Sequence, residues 1–458
     1  MAADGTPVGL GRRRLLQATL AAGSVLAWPA TSRAQGGPKG YALLVGNTSY
    51  NPAEENLPPA EKCLRDLDVQ LKRFGFEVAS FHDVPVAQVK SEIARLQQAV
   101  AANPDMPAVF YFVGHGFQSN AENFLVPAGS DLNAVPATLS KTCLSLEKEI
   151  FTKLKRQSGP AATVIMVDAC RTPDRPRQPG EGYNQTLPPE GCHVAFATGP
   201  GKRAFAPNDP TRDTLFAEVL VAELAGSPSD RSILLTLESV RAKVATRVNA
   251  VPTIVKVFGP NAQEPEIASN VAGDPAWAPG AASPASSATA APPTPASIEL
   301  AATRAIDSPQ AAAELLRTFL QATPQGDDAD LARLRLRDLE VVLKAARAAR
   351  LDLDTAKLTA NQPARVVEDM RRSLQGDKYA ALRVAETLPQ PSAGGELIER
   401  TDYGRWMIFA ANLGNGIAAY RLSLYFRNVD RRDAEAARYL ALARANQYTP
   451  PRQLDAGR

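Results

Sequence analysis

Histidine, cysteine and tryptophan are scarce in this chain, at three, four and three residues among 458. His82, His115 and His193 stand in no spacing with Cys63, Cys143, Cys170 and Cys192 that resembles a zinc site. No Walker-type glycine-rich loop is present to cradle a phosphate, and no Gly-x-Ser-x-Gly elbow follows a strand-like run, which argues against a serine hydrolase built on that turn. No cofactor is therefore expected. Long apolar stretches are also lacking: none reaches the ~20 residues that cross a bilayer.

The amino terminus explains the net charge. Gly11-Arg12-Arg13-Arg14-Leu15-Leu16-Gln17 is a twin-arginine pattern, followed by an apolar stretch over 18–30 and a small-residue site at Ser32-Arg33-Ala34. Residues 1–34 read as an export signal of a bacterial periplasmic or secreted protein, with an uncleaved anchor as the alternative. Removing them takes away four arginines and Asp4, and with them the whole net charge of +3. A neutral mature chain gives no argument for nucleic acid or for an acidic membrane as partner.

Between these absences, strand-like runs recur at 41–46, 76–81, 108–113, 163–168, 193–198 and 253–258. Helical patterns separate them: Leu64, Leu67, Leu71 and Phe74 fall on one face, as do Val89, Ile93, Leu96 and Val100, and 214–224 and 233–248 read as two more helices. Alternating strand and helix predicts a doubly wound sheet of six strands. Two runs end in reactive side chains. Val113-Gly114-His115-Gly116 closes one, and Asp168-Ala169-Cys170-Arg171 closes another. Ligands and catalytic groups collect at the carboxyl ends of parallel strands, so His115 and Cys170 form a candidate base and thiol nucleophile. Either residue alone would read as structural: a hydrogen-bonded histidine, a packed cysteine.

Together with Tyr41-Ala42-Leu43-Leu44-Val45-Gly46-Asn47 and Ala195-Phe196-Ala197-Thr198-Gly199-Pro200-Gly201, these segments resemble the caspase-like cysteine peptidases, the group of caspases, metacaspases and bacterial relatives. The 55-residue step from His115 to Cys170 is close to the roughly 50 residues expected in caspases. The resemblance implies an α/β fold with a mostly parallel sheet, helices on both faces and the two residues on neighbouring central strands. It also implies attack by Cys170 on a peptide carbonyl, an oxyanion held by the amides of Gly116 and Cys170, and protonation of the leaving amine by His115. Family members work as a dyad, and a calcium requirement is left open.

Asp168 lies two residues before Cys170, and on a strand residues two apart share a face. It could therefore offer a carboxylate to the primary specificity pocket, where caspases carry Gln. Such an Asp resembles the metacaspase pocket that favours Arg or Lys. Alternatively it orients a local turn. Bacterial relatives usually open the first long helix with Asn-Asp-Ala, whose Asp helps line the pocket. Here the stretch is Pro59-Ala60-Glu61-Lys62-Cys63-Leu64, with Lys62 in that place, positioned to neutralise Asp168, and Glu61 as a substitute carboxylate. The segment 171–189, rich in Pro, Gly and Arg, reads as an exposed loop, and nearby linkers are where family members often cut themselves. With Cys170 free, three cysteines leave room for one disulfide whose partners the sequence does not choose.

Composition divides the chain into a peptidase domain over 39–260, an Ala/Pro/Ser-rich linker over 261–297 and an all-α region over 298–458. Leu331, Leu334, Leu339, Val342 and Leu343 mark one amphipathic helix. Gly376-Asp377-Lys378-Tyr379-Ala380-Ala381-Leu382-Arg383 and Gly414-Asn415-Gly416-Ile417-Ala418-Ala419-Tyr420-Arg421 share Gly, Ala, Ala and Arg in register. They resemble degenerate tetratricopeptide-like or Sel-type repeats, with a small irregular bundle as the alternative. Stacked helix pairs present surfaces to proteins or peptides, so this half is expected to bind a substrate or protein partner. The rival to an exported endopeptidase is a caspase-fold scaffold with little turnover.

Overall fold

The computed structural model describes residues 37–449, apart from 120–121, 135, 158, 170–184, 279–299, 301–302, 304–305 and 392–396. Among the described residues the strands run, in chain order, β1 (Gly40–Gly46), β2 (Phe76–His82), β3 (Ala108–Val113), β4 (Gly116–Ser119), β5 (Glu122–Leu125), β6 (Leu144–Ser145), β7 (Thr163–Asp168), β8 (Cys192–Phe196) and β9 (Glu266–Ser269). Six of them form one sheet in the order β2-β1-β3-β7-β8-β9, parallel throughout except for the last, antiparallel pair. β4, β5 and β6 make a second, three-stranded sheet.

Every residue of the central strands β3 and β7 is buried, as expected where helices cover both faces of a parallel sheet. Ala42, Leu44, Val109, Tyr111, Val113, Val164 and Met166 share a core with the helices Ala60–Arg73, Leu215–Gly226 and Ile233–Asn249. The intervening residues, such as Leu43, Phe110 and Ile165, turn to the other face by the two-residue period of a strand. The helix Val86–Ala102 packs against β1 and buries Val89, Ile93, Leu96 and Val100. Thr214 and Ser232 cap the helices that follow them by accepting from the N–H groups of Ala217 and Leu235. The doubly wound six-stranded sheet is thus present, with one strand in a different place.

That strand corrects the sequence expectation at 253–258. Pro252–Phe258 is a helix, opened by Pro at its first position and closed by Gly259 at φ +82°. Val257 and Phe258 are 70% and 49% exposed, unlike a core strand. Short apolar runs of this kind look alike as strand or helix. The sixth strand is instead Glu266–Ser269, inside the segment assigned to a linker. The boundary at 260 is therefore too early: Val271, Trp277 and Ala278 also lie in the sheet's core.

The carboxyl-terminal region is helical, with helices Pro309–Ala322, Asp327–Ala349, Ala364–Leu374, Lys378–Glu386, Asp402–Asn412, Gly416–Asn428 and Asp433–Ala445. Leu331, Leu334, Leu339 and Val342 are buried as their spacing predicts. The two similar segments form the same kind of turn. Gly376 and Gly414 take positive φ, and Asp377 and Asn415 then cap the next helix. This region covers the open side of β9. Lys378 and Tyr379 reach Glu266 at 2.6 and 2.9 Å, and Arg372 donates to the Val271 carbonyl at 2.6 Å. Arg241 bridges to Glu264 and to Asp338 of the helical region, both at 2.7 Å. Gln185, 5% exposed, is also held there: its amide donates to the carbonyls of Gly414 and Asn446 and its oxygen accepts from Gly416 N–H, at 2.7–2.9 Å.

Candidate active site

β3 and β7 are direct neighbours, and their carboxyl ends are tied by Gly114 N–H donating to the Asp168 carbonyl at 3.2 Å. Gly114 has no room for a side chain, since a Cβ there would stand 2.6 Å from the Tyr50 hydroxyl. The close approach lets that hydroxyl accept from the His115 backbone N–H at 3.1 Å, while the Tyr50 ring meets the imidazole edge-on at 4.6 Å. Burial holds Tyr50 well above the usual phenol range, so it stays neutral. Neither Tyr50 nor its loop was visible in the sequence as part of the site.

The imidazole is fixed by another group that sequence spacing does not reveal. His115 Nε2 lies 2.7 Å from the carbonyl oxygen of Glu55. A carbonyl only accepts, so Nε2 carries the proton in that bond and Nδ1 keeps the lone pair. A backbone carbonyl thus orients the ring and leaves Nδ1 as the nitrogen able to accept a proton. Cys170 itself lies outside the described residues; the chain is followed to Ala169, which is buried at the end of β7.

Gly116 begins β4. The Val126 N–H donates to the His115 carbonyl at 3.0 Å, and Gly116 pairs with Leu125 in the antiparallel register. Hydrogen-bonded and non-bonded pairs alternate in such a ladder, so the Gly116 N–H turns away from β5. That orientation suits a donor to an oxyanion.

Asp168 is 2% exposed. Its Oδ2 accepts from Tyr111 at 3.0 Å and from the Thr214 hydroxyl. Burial raises its pKa, these two hydrogen bonds lower it and neighbouring Asp213 raises it, leaving it at about 6. Lys62 does not occupy the role expected for it. Its ammonium pairs with Asp66 and, at 3.0 Å, with Asp213. Glu61 is exposed, so the second carboxylate beside Asp168 is Asp213, 151 residues away from Lys62 in sequence. The other three cysteines, Cys63, Cys143 and Cys192, are buried and free, which removes the disulfide expected as an option. Burial pushes the thiols of Cys143 and Cys192 up to about 12, making them poor nucleophiles.

The family model for the caspase domain matches residues 39–274, just over half of the chain, and the chain belongs to that family. The matched segment includes β9, in agreement with the later domain boundary. Among solved structures, the chain is similar to caspase-1 from Spodoptera frugiperda, with 18% identity over 52% of this chain and 92% of that one and a TM-score of 0.38. No curated protein matches.

Proposed function

We propose that this protein is a cysteine endopeptidase in which His115 deprotonates Cys170 for attack on a peptide carbonyl. The observation that carries this reading is the His115–Glu55 hydrogen bond, which leaves Nδ1 as a base at the strand end next to the one bearing Cys170. The Gly116 amide supports an oxyanion site, the remaining donor being the amide of Cys170. Asp168 favours cleavage after Arg or Lys, because a buried carboxylate gains most from a cation. Export through the twin-arginine pattern would put the enzyme in the periplasm or outside the cell. The helical region, which we take as repeat-type, would serve a protein partner or substrate.

A second reading, a caspase-fold scaffold of low turnover, is favoured by the near-complete burial of Asp168 and Asp213. Mature protein, kept reduced and with and without calcium, should cleave Arg- or Lys-terminated fluorogenic peptides, and Cys170→Ala should abolish the signal. Folded protein with no Cys170-dependent cleavage of any peptide would favour the scaffold. Cleavage after Asp instead would overturn the pocket assignment.

A further inference from the structure

Asp213 is the unresolved group in this region. One oxygen, Oδ2, takes the Lys62 ammonium at 3.0 Å, while Oδ1 is buried without a hydrogen-bond partner. The side chain is 8% exposed. A buried carboxylate oxygen without a donor costs free energy unless a ligand supplies one. The next residue, Thr214, donates its hydroxyl to Asp168 and accepts from Ala217 N–H at 3.1 Å, so it locks the two carboxylates to one helix start. Its own N–H rests on the Cys63 sulfur at 3.4 Å.

The local charges do not balance. Asp168 and Asp213 lie near one ammonium, that of Lys62, which is divided between Asp213 and Asp66, and Asp66 also has the Arg65 guanidinium at 3.9 Å. None of that ammonium is spent on Asp168, whose donors are neutral hydroxyls. Among the described residues no cation is paired with Asp168. A guanidinium has a planar fork of donors able to engage two carboxylates together, and an ammonium can do so as a point charge.

Resting on the peptidase reading above, we infer that Asp213 is a second specificity carboxylate for the basic side chain preceding the cleaved bond, and that Lys62 is a resident counterion with which that side chain competes. Lys62 then has two opposed effects. It occupies one oxygen of Asp213 while the site is empty, and it weakens the field that draws a substrate cation. The position usually taken by an acidic residue at the helix start is in this chain a brake on affinity, and the missing carboxylate is delivered from the far side by residue 213.

The test is a comparison of peptides carrying Arg, Lys or the neutral isostere citrulline before the cleaved bond, at pH 8. Wild type, Lys62→Met, Asp213→Asn and Cys170→Ala are assayed side by side, with circular dichroism and melting to verify folding. Asp213→Asn should cut the Arg-to-citrulline ratio of kcat/KM by at least tenfold, mainly through KM. Lys62→Met should lower KM for Arg about threefold or more and leave KM for citrulline where it was. A purely structural Asp213 would shift all three peptides together. If Asp213→Asn does not fold, the Lys62→Met comparison decides. Turnover with an unchanged Arg-to-citrulline ratio in every folded variant overturns this inference alone, whereas absence of Cys170-dependent turnover overturns the peptidase reading and the inference with it.

Discussion

At Asp168 an ionisable group sits where almost no solvent reaches it, and its pKa of about 6 sets a stability consequence. An unfolded Asp releases its proton near 3.9. Between those values the folded state binds more protons than the unfolded one, so stability is highest below the lower value and falls as pH rises through 6. The two-unit gap corresponds to on the order of 3 kcal/mol. Asp168→Asn keeps an acceptor for Tyr111 and Thr214 while removing the charge. We expect it to flatten that part of the stability profile, to unfold no earlier than wild type in urea at pH 8, and to lose cleavage after Arg. An unfolding midpoint that still falls between pH 4 and 6 in the variant would assign the titration elsewhere. The places of His115, Gly116 and Asp168 at strand ends were legible in the sequence because each is read beside its own strand. The contacts of Tyr50, the Glu55 carbonyl and Asp213 were not: they depend on which distant loops return to one strand end, and one is made by a backbone oxygen that any residue could supply.

Elements were legible where periodicity and length agreed. β1, β2, β3, β7 and β8 fell within a residue or two of the expected runs, as did the helices beginning at Leu215 and Ile233, and the helices beginning at Ala60 and Val86 contain the apolar faces read for them. The failure at 252–269 has a physical cause. Pro252–Phe258 is a short apolar run without strand-like burial, whereas β9 is four residues long and takes its definition from pairing with β8. The small β4-β5-β6 sheet was missed for the same reason. The consequence concerns where the caspase domain ends. Trp277 is fully buried and donates from its indole to the Thr236 hydroxyl at 3.1 Å, so Trp277→Ala should cost about 3–5 kcal/mol, measurable by denaturant unfolding. A chain stopped at residue 260 lacks β9 and Trp277 and exposes the β8 edge to pairing with other chains. It should aggregate on expression; a monomeric, cooperatively melting product would show that the sheet does not need its sixth strand.

For the molecule as a whole, composition separated two halves and said nothing of their contact. Part of the contact is ionic. Glu264 is partly buried, which alone would raise its pKa, yet Arg241 and Arg337 outweigh that and hold it at about 2. Its contribution is present above the ordinary carboxylate range and is lost as pH falls through 2. Glu264→Gln should destabilise the protein by about 2 kcal/mol, less than the ~3–5 of a fully buried pair, since the Arg337 side chain is 39% exposed; melting at pH 7 checks it. Gln185 adds a different kind of link, between the chain downstream of Cys170 and the turns at Gly414–Gly416 and Asn446. With β7 and β8 already hydrogen-bonded side by side, neither side of the 171–184 segment depends on that segment to stay with the other. Covalent continuity there is dispensable for holding the particle together. Protein cut once in this stretch by added trypsin should run as two bands in detergent and as a single species of unchanged size in native buffer.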